Sequence, residues 1–218
     1  MVGEKKVLKR EKIIATAVNM LKDKGYNEIR VEDITKELKM AKSMFFYYFD
    51  SKAVLYLEIL YRLHEKLTSS FVEKIEAADI STCDDFKNLI MQMTDEYIKE
   101  YFLLIKLLDY EELIYSECMR QQVSDVRDRI SKLYDNVHNK VLEKFTFFSR
   151  TEIFYIFEVQ LHFLRGYYRQ MIGNAKYFTG DRKDLDFERK SLYEFRVVRM
   201  LRYLIAGMIH EKNLQNMS

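Results

Sequence analysis

The amino-acid sequence predicts an all-α fold, and three observations lead to that prediction. The chain has no proline and only six glycines in 218 residues, so tight turns should be rare and helices long. Apolar residues make up 48% of the chain, enough to bury a substantial core. Apolar positions also recur at the three- and four-residue spacing of a helix face. We therefore expect about nine helices, arranged as a small N-terminal head and a larger helical body.

Three helices are predicted at the N-terminus. The first covers residues 9–24, and Gly25 follows it where a residue in the left-handed conformation would end a helix. A second helix fits residues 32–38 and a third fits residues 42–48. Only residues 39–41 separate these two, and such a short connection is typical of a helix-turn-helix unit.

Five longer helices are predicted after the head, over residues 51–77, 82–108, 110–145, 149–174 and 184–210. Ser51, the Ser81-Thr82 pair and Ser149 are expected to open helices, because the oxygens of such side chains can accept from the first free backbone N–H groups. The helix over 110–145 is either continuous or interrupted near Ser116. A loop is expected at residues 173–183, which contain two glycines, an asparagine and an aspartate.

The charge of the chain is concentrated in the head. Residues 1–52 carry 12 Lys/Arg and 8 Asp/Glu, a balance of +4, whereas the remainder carries 24 and 26, a balance of −2. A basic head predicts an anionic partner. No apolar run approaches the roughly 18 residues of a membrane span, and no signal-peptide pattern is visible at the N-terminus. We therefore expect a soluble, cytoplasmic protein without a membrane partner.

The sequence contains no grouping typical of catalysis or metal binding. The four histidines are scattered, and the spacing of Cys83 and Cys118 fits no zinc site. The acidic residues Asp109, Glu111 and Glu112 are interpreted as a solvated helix face. Neither a phosphate-binding glycine loop nor a nucleophile elbow occurs. We expect neither an enzyme nor a cofactor or metal site.

Residues 25–52 carry a specific pattern, which comprises Gly25-Tyr26, Val31, Asp33-Ile34, Lys42, the aromatic run 45–49 and Ser51-Lys52. Through this pattern the region of residues 9–60 resembles the DNA-binding domain of the TetR family of transcriptional regulators. The rest of the chain agrees with that family only in length and helical layout. Four positions depart from the family pattern: Arg30, Lys39, Ala41 and Phe46 stand where Thr/Ser, Gly, Ser and Tyr are usual. Ala41 leaves the third helix without a capping side chain, at a cost of about 0.5–2 kcal/mol.

The resemblance implies which residues contact DNA. Base edges would be met by Lys42, Ser43 and Phe46, and phosphates by Met44, Tyr47, Tyr48 and Lys52. Glu32 and Thr35 are secondary base-contact candidates, and Arg30 adds positive charge on the same side. A lysine can donate to guanine and a phenylalanine can pack on a thymine methyl. The alternative for the aromatic run is a core role, which we expect for Phe45 and Phe49. Successive helical residues turn by about 100°, so some of the rings must be exposed.

The resemblance also implies a homodimer formed through the last two helices. Their apolar stripes comprise Phe154, Phe157, Leu161, Leu164 and Tyr168, followed by Val198, Leu201, Ile205 and Met208. The alternative is that these stripes close the core of the monomer. A small, largely apolar or aromatic effector is expected against aromatic and polar residues of the body, namely Tyr97, Tyr101, Tyr115, His162, Phe163 and Tyr167. Ordinary core packing is the alternative for each of them.

The sequence thus predicts a DNA-binding domain over residues 1–52 and an effector-binding and dimerisation domain over residues 53–218. The resemblance implies a transcriptional regulator, most often a repressor, that binds a palindromic operator as a dimer and is released by its effector. The alternative is a helical interaction protein whose degenerate head no longer binds DNA. The missing caps and Phe46 are consistent with that second possibility.

Overall fold

The described part of the chain is built from α-helices, as the scarcity of glycine and proline predicts. The computed structural model describes the backbone of residues 2–175 and 182–217, and the side chains of residues 6–171, 193–215 and 217. The helices are α1 (Val2–Asp23), a 3₁₀ helix (Tyr26–Glu28), α2 (Val31–Glu37), α3 (Lys42–Tyr48), α4 (Lys52–Ala77), α5 (Cys83–Glu100), α6 (Phe102–Leu108), α7 (Glu111–Ser116), α8 (Arg120–Lys144), α9 (Arg150–Ala175) and α10 (Arg182–Met217).

The three predicted N-terminal helices are confirmed. The third has the predicted bounds, whereas α1 begins at Val2 and so extends further towards the N-terminus than its apolar face suggested. At the start of α2 the arginine cannot cap the helix, but the Asp33 carboxylate accepts from the Arg30 backbone N–H at 2.8 Å. At the start of α3, Ala41 makes no side-chain capping bond, as its methyl group dictates.

Gly25 corrects one expectation, because it does not adopt the left-handed conformation. Its φ of −76° and ψ of 162° are those of an extended residue that any side chain can adopt. The need for glycine is steric: a Cβ at this position would lie 2.6 Å from the Tyr110 hydroxyl. Within residues 2–175 and 182–217, Lys39 adopts the left-handed conformation instead, at a φ of 50°.

The predicted caps of three longer helices are present. Ser51 Oγ accepts from the Val54 backbone N–H at 3.1 Å. Thr82 Oγ1 accepts from the Asp85 N–H at 3.1 Å, and the Asp85 carboxylate accepts in return from the Thr82 N–H at 2.8 Å. At the start of α9, the Ser149 N–H donates to Glu152 at 2.7 Å. Such reciprocal bonds satisfy the N–H groups that a helix start leaves free.

Two predicted helices are each divided into two. The helix expected over 82–108 breaks at Tyr101, whose φ of −113° and ψ of 22° end α5. The Tyr101 hydroxyl donates to the Lys66 carbonyl at 3.2 Å, a contact between residues distant in sequence. The helix expected over 110–145 breaks after Ser116, the interruption we had considered. Of the predicted loop, residues 176–181 lie outside the described residues, and α10 starts at Arg182 and continues past His210 to Met217.

The chain divides into two compact units. The first comprises Met1–Glu65 and Lys106–Ser131, and the second comprises Lys66–Ile105 and Lys132–Ser218. The first unit therefore contains the helix-turn-helix together with the first half of α4 and a segment much later in the sequence. The domain boundary that we predicted at residue 52 falls inside this unit.

The second unit has a core rich in aromatic rings. Phe86 stacks on Phe145 with ring centroids 4.8 Å apart and an interplanar angle of 10°. α10 packs against α5 and α9. Gln160 is 2% exposed, and its amide donates to the Thr94 hydroxyl at 2.7 Å, so these two buried polar side chains satisfy one another.

The start of α9 is fixed to α10 by a carboxylate. Lys212 Nζ lies 2.6 Å from Glu152 Oε2, which also accepts from the Ser149 N–H. Although desolvation by burial opposes the effect, the Lys212 ammonium and the Ser149 bonds lower the pKa of Glu152 to about 2. A carboxylate with a lowered pKa in the folded state stabilises the fold above its unfolded pKa and loses that contribution on protonation.

We predict that Glu152→Gln reduces the free energy of unfolding at pH 7 by about 1 kcal/mol, a value that allows for solvent screening. The difference from the unmodified protein should shrink as the pH falls from about 4.3, the unfolded pKa, towards 2. Urea unfolding between pH 2 and 7 measures it. Glu143→Gln, which removes a more exposed carboxylate, is the control. A difference that stays constant over this pH range would contradict the assignment.

Candidate nucleic-acid interface

The helix α3 has one buried and one exposed aromatic face. Phe45 and Phe49 are 0% and 1% exposed and form the predicted inward contact, with ring centroids 5.9 Å apart. Phe46 and Tyr47 are 45% and 63% exposed. The aromatic run is therefore divided between core and surface, as the rotation of 100° per residue requires.

The exposed face of α3 carries the polar residues that were predicted to contact DNA. Lys42 and Ser43 are exposed, and Lys42 Nζ pairs with Glu32 Oε1 of α2 at 2.5 Å. The same ammonium lies 5.9 Å from the centre of the Phe46 ring. The Lys42 ammonium lowers the pKa of Glu32, which is therefore ionised at neutral pH. Arg30 is exposed at the start of α2, whereas Tyr48 is half-buried with its ring 5.1 Å from that of Tyr47.

Two of the predicted DNA contacts point elsewhere. Thr35 is 6% exposed, and its hydroxyl donates to the Glu32 carbonyl at 3.1 Å. Lys52 donates to the backbone carbonyls of Tyr26 and Ile29 at 3.1 and 3.2 Å, and its ammonium lies 3.8 Å from the centre of the Tyr26 ring. Burial lowers the pKa of Lys52. Both residues organise the head, and we leave them out of the candidate DNA surface.

Tyr26 is the centre around which the head is assembled. Its side chain is fully buried, with the Tyr56 ring at 5.0 Å and the Tyr110 ring at 5.9 Å. Its hydroxyl donates to the Glu117 carboxylate. Burial and this carboxylate raise the pKa of Tyr26, which stays protonated as the donor. These contacts attach the helix-turn-helix to residues of the 106–131 segment in the same unit.

Comparison with known proteins matches this head to one family. Residues 13–59 match the family described as bacterial regulatory proteins, tetR family. The N-terminal segment of this chain is thus similar to the helix-turn-helix domain of that family. The segment that we identified by its motif, residues 9–60, coincides closely with the matched residues.

Two curated relatives match a longer part of the chain at about a quarter identity. The HTH-type transcriptional regulator YuxN of Bacillus subtilis strain 168 is 26% identical over 142 residues, which are 63% of this chain and 48% of YuxN. The match thus spans about half of that relative. The IcaR negative transcriptional regulator of the biofilm operon icaADBC in Staphylococcus epidermidis is 24% identical over 138 residues, 59% of this chain and 71% of IcaR.

A solved structure shows the same fold. A transcriptional regulator from Aquifex aeolicus VF5 superposes with a TM-score of 0.51 at 21% identity, covering 89% of this chain and 98% of that protein. At this identity the similarity shows the fold alone. In this chain, no described helix meets the length and hydropathy needed to cross a bilayer.

The six predicted effector residues lie in different environments, some buried and some exposed. Tyr97 is 2% exposed and packs on Phe71, with ring centroids 6.2 Å apart, which is a core role. His162 is exposed, and the Tyr115 hydroxyl donates to Glu111 at 2.8 Å. Tyr101, Phe163 and Tyr167 are half-buried. The described residues of the first unit line cavities of their own, and these are lined by other side chains.

The largest of those cavities lies between α1, α4 and α8 and was not predicted. It has a volume of about 580 Å³, and its lining includes Arg10, Glu58, Arg62 and Arg129. Arg62 binds both Glu58 at 2.7 Å and Glu11 at 2.6 Å, so α1 and α4 are joined by alternating charges. Of these ion pairs, only Glu58–Arg62 could have been predicted from the sequence, because its residues are four apart on one helix.

The structure separates the predicted dimer stripes into buried and exposed residues. Five of the nine are buried in the protomer, namely Phe157, Leu164, Tyr168, Leu201 and Ile205. For these five residues the core alternative applies, because their own chain already covers them. Leu161, Val198 and Met208 are partly exposed, and Phe154 is 53% exposed. Tyr155, Phe195 and Tyr203 are exposed as well, although the sequence argument did not select them.

We predict that Lys52→Met lowers the free energy of unfolding by about 2 kcal/mol, because two backbone carbonyls lose a charged donor. Lys42→Met removes an ammonium that pairs only at the surface and should change stability by less than about 0.5 kcal/mol. Urea midpoints of the two variants measure the difference. Equal midpoints would show that Lys52 does not hold the Tyr26–Ile29 backbone.

Proposed function

We propose that this chain is a TetR-like transcriptional regulator, acting as a repressor, that binds a palindromic operator as a homodimer. The exposed face of α3 carries the proposal: rings and a lysine face solvent on the second helix of a helix-turn-helix. The N-terminal residues of such a helix reach base edges in the major groove. The description of IcaR as a negative regulator supports the repressor assignment.

The contacts that we propose follow from exposure and charge. Lys42, Ser43 and Phe46 meet base edges, and Met44, Tyr47, Tyr48 and Arg30 meet the sugar-phosphate backbone. Glu32 accepts from Lys42 in the free protein and thereby orients its ammonium along the face of α3. On the operator, Lys42 exchanges this exposed carboxylate for guanine acceptors. Glu32 at the same time repels phosphates and so limits binding to unrelated sequences.

The proposal is tested by selecting bound duplexes from a random pool at near-physiological salt. A regulator should enrich one palindromic site, with half-sites about 34–36 Å apart, and bind it with an affinity that falls steeply with salt. A folded protein that enriches nothing, alone or with candidate effectors, would instead favour the interaction protein with a degenerate head.

We predict opposite effects for the two partners of the α2–α3 ion pair. Glu32→Gln should strengthen binding to unrelated duplexes, because it removes a negative charge that faces the phosphates. Lys42→Gln should weaken binding to the selected site by about 5- to 150-fold, the range of a lost base contact of about 1–3 kcal/mol. Fluorescence anisotropy with selected and scrambled duplexes measures both. Identical behaviour of the two variants on both duplexes would refute this division of roles.

The proposed dimer interface is the exposed face of α9 and α10. Phe195 and Tyr203 lie eight residues apart on α10, with the Arg199 guanidinium 5.2 and 5.5 Å from their ring centres. A Cβ added at Gly207 or Gly166 would meet nothing within 4 Å, so both helices leave room for another helix. Exposed apolar patches of this kind mark protein–protein contacts. A homodimer formed through this face carries two heads, one for each half-site.

We predict that Gly207→Leu keeps the protomer folded, because its side chain enters open space, but shifts the dimer towards monomer. Helix content is measured by circular dichroism and mass by sedimentation. Gly207→Ala is the control: it should keep the dimer and remove the helix penalty of glycine, about 1 kcal/mol. A Gly207→Leu variant that remains a full dimer would exclude Gly207 from the interface.

The effector is proposed to be a small, largely apolar or aromatic molecule. Coupling of about 1–3 kcal/mol between its site and the operator would change affinity by about 5- to 150-fold. The α1–α4–α8 cavity has a volume typical of small-molecule sites, about 300–1,000 Å³, and Val54, Leu57 and Tyr61 line it beside the charged residues. Release of the selected duplex by candidate ligands tests the effector, and Tyr61→Ala, which alters the cavity wall, tests its site.

A further inference from the structure

A second basic surface lies beside the exposed face of α3. The N-terminal half of α1 and the turn before α3 enclose a groove of about 350 Å³, with Lys9 and Lys12 on one wall and Lys39 on the other. Leu38, Met40 and Met44 form its apolar floor. Among the described residues that line the groove, none is acidic. A groove with cationic walls and an apolar floor is complementary to a sugar-phosphate chain.

The same part of α1 continues along α3. The Lys6 ammonium lies 4.8 Å from the centre of the Tyr47 ring, and Tyr47 is exposed. Lys6, Lys9 and Lys12 are spaced by three residues and so lie on neighbouring positions of one helix face. The extension of α1 to Val2 therefore places a row of ammonium groups next to the proposed phosphate contacts of α3.

Lys9, Lys12 and Lys39 differ from several other lysines because no carboxylate among the described residues pairs with them. In the described residues, no ion pair involves Lys9, Lys12 or Lys39. By contrast, Lys42, Lys99 and Lys212 each bind a carboxylate, at 2.5, 2.8 and 2.6 Å. Three ammonium groups around one groove repel each other, and an anion that enters between them relieves that repulsion.

Lys39 supplies an independent observation. Its backbone has a φ of 50°, in the left-handed region where a residue with a Cβ is strained and glycine is not. Strained backbone of this kind is concentrated at functional sites. Here the strain holds a positive charge at the mouth of the groove, a charge that glycine would not provide.

From the groove, its unpaired lysines and the strained Lys39, we propose that Lys9, Lys12 and Lys39 form a second DNA contact that binds backbone phosphates flanking the half-site read by α3. This proposal rests on the proposed function. The contact adds affinity without reading sequence, because phosphates carry no base information. It lies on α1 and the turn, outside the face of α3 that would read bases.

The first test compares Lys9→Gln/Lys12→Gln with Lys66→Gln/Lys132→Gln, which removes two exposed lysines from the other unit. Binding to the selected duplex is measured by anisotropy between 50 and 200 mM salt. Because two phosphate contacts are lost, the slope of log affinity against log salt should be shallower by about 1.8. Between 50 and 200 mM salt, the fold-decrease in affinity should therefore be about 12 times smaller than for the unmodified protein. The preference for selected over scrambled duplex should stay unchanged, and the control should keep the slope of the unmodified protein.

The second test uses Lys39→Gly and Lys39→Arg. Glycine relieves the left-handed strain and should raise Tm by about 2–4 °C while lowering the salt slope by about 0.9. Arginine keeps the charge and should keep the slope. If Lys39 had only a structural role, Lys39→Gly would change Tm and leave the salt slope unchanged.

The outcomes distinguish the two proposals. If the unmodified protein binds no duplex, the proposed function fails. If it binds but Lys9→Gln/Lys12→Gln and Lys39→Gly keep the full salt slope, the groove does not contact phosphates and only this inference is overturned. A lowered slope together with a changed sequence preference would also contradict it, because the groove would then read bases.

Discussion

The arrangement of the head depends on the burial of Tyr26. Its ring fills the space between the 3₁₀ helix, α4 and the 106–131 segment, while Lys52 satisfies the carbonyls of Tyr26 and Ile29 from the start of α4. A buried tyrosine needs a partner for its hydroxyl, and Glu117 provides it. Gly25 is required beside this ring because the Tyr110 hydroxyl occupies the space of a side chain. These contacts set the direction in which α2 and α3 leave the core, and hence which face of α3 is exposed.

The exposed face of α3 has a physical cost that its proposed partner explains. Phe46 and Tyr47 expose large rings next to Met44, and apolar surface in water favours association. Around them the charge is positive: Lys42 and Arg30 on the helix-turn-helix, and Lys6, Lys9, Lys12 and Lys39 along α1 and the turn. A protein partner would be expected to cover the rings with apolar surface. A nucleic acid covers them with methyl groups and sugars while pairing the cations with phosphates, which agrees better with this mixture.

Local sequence signals predicted the elements, and contacts between distant residues account for what they missed. The caps Ser51, Thr82 and Ser149 act within three residues, and the turn before α3 is equally local, so both could be read directly. Gly25 was misinterpreted because glycine after a helix usually ends it in the left-handed conformation. Here glycine is required because the Tyr110 hydroxyl occupies the space of a Cβ. Lys52 matched a family position, but its carbonyl acceptors lie more than twenty residues earlier in the sequence. The break at Tyr101 has no glycine or proline to mark it.

The two long C-terminal helices show what apolar periodicity can and cannot decide. On α9, Phe157, Leu164 and Tyr168 are buried inside the protomer, yet Phe154 and Tyr155 are exposed about one turn earlier. An apolar helix face that is buried on one side and exposed on the other is wider than the surface that its neighbours in the protomer cover. On α10, Leu201 and Ile205 are buried while Phe195 and Tyr203 are exposed, so the same excess recurs on the neighbouring helix. Periodicity identifies the apolar face of each helix, and the proposed dimer rests on the part of that face that the protomer leaves exposed.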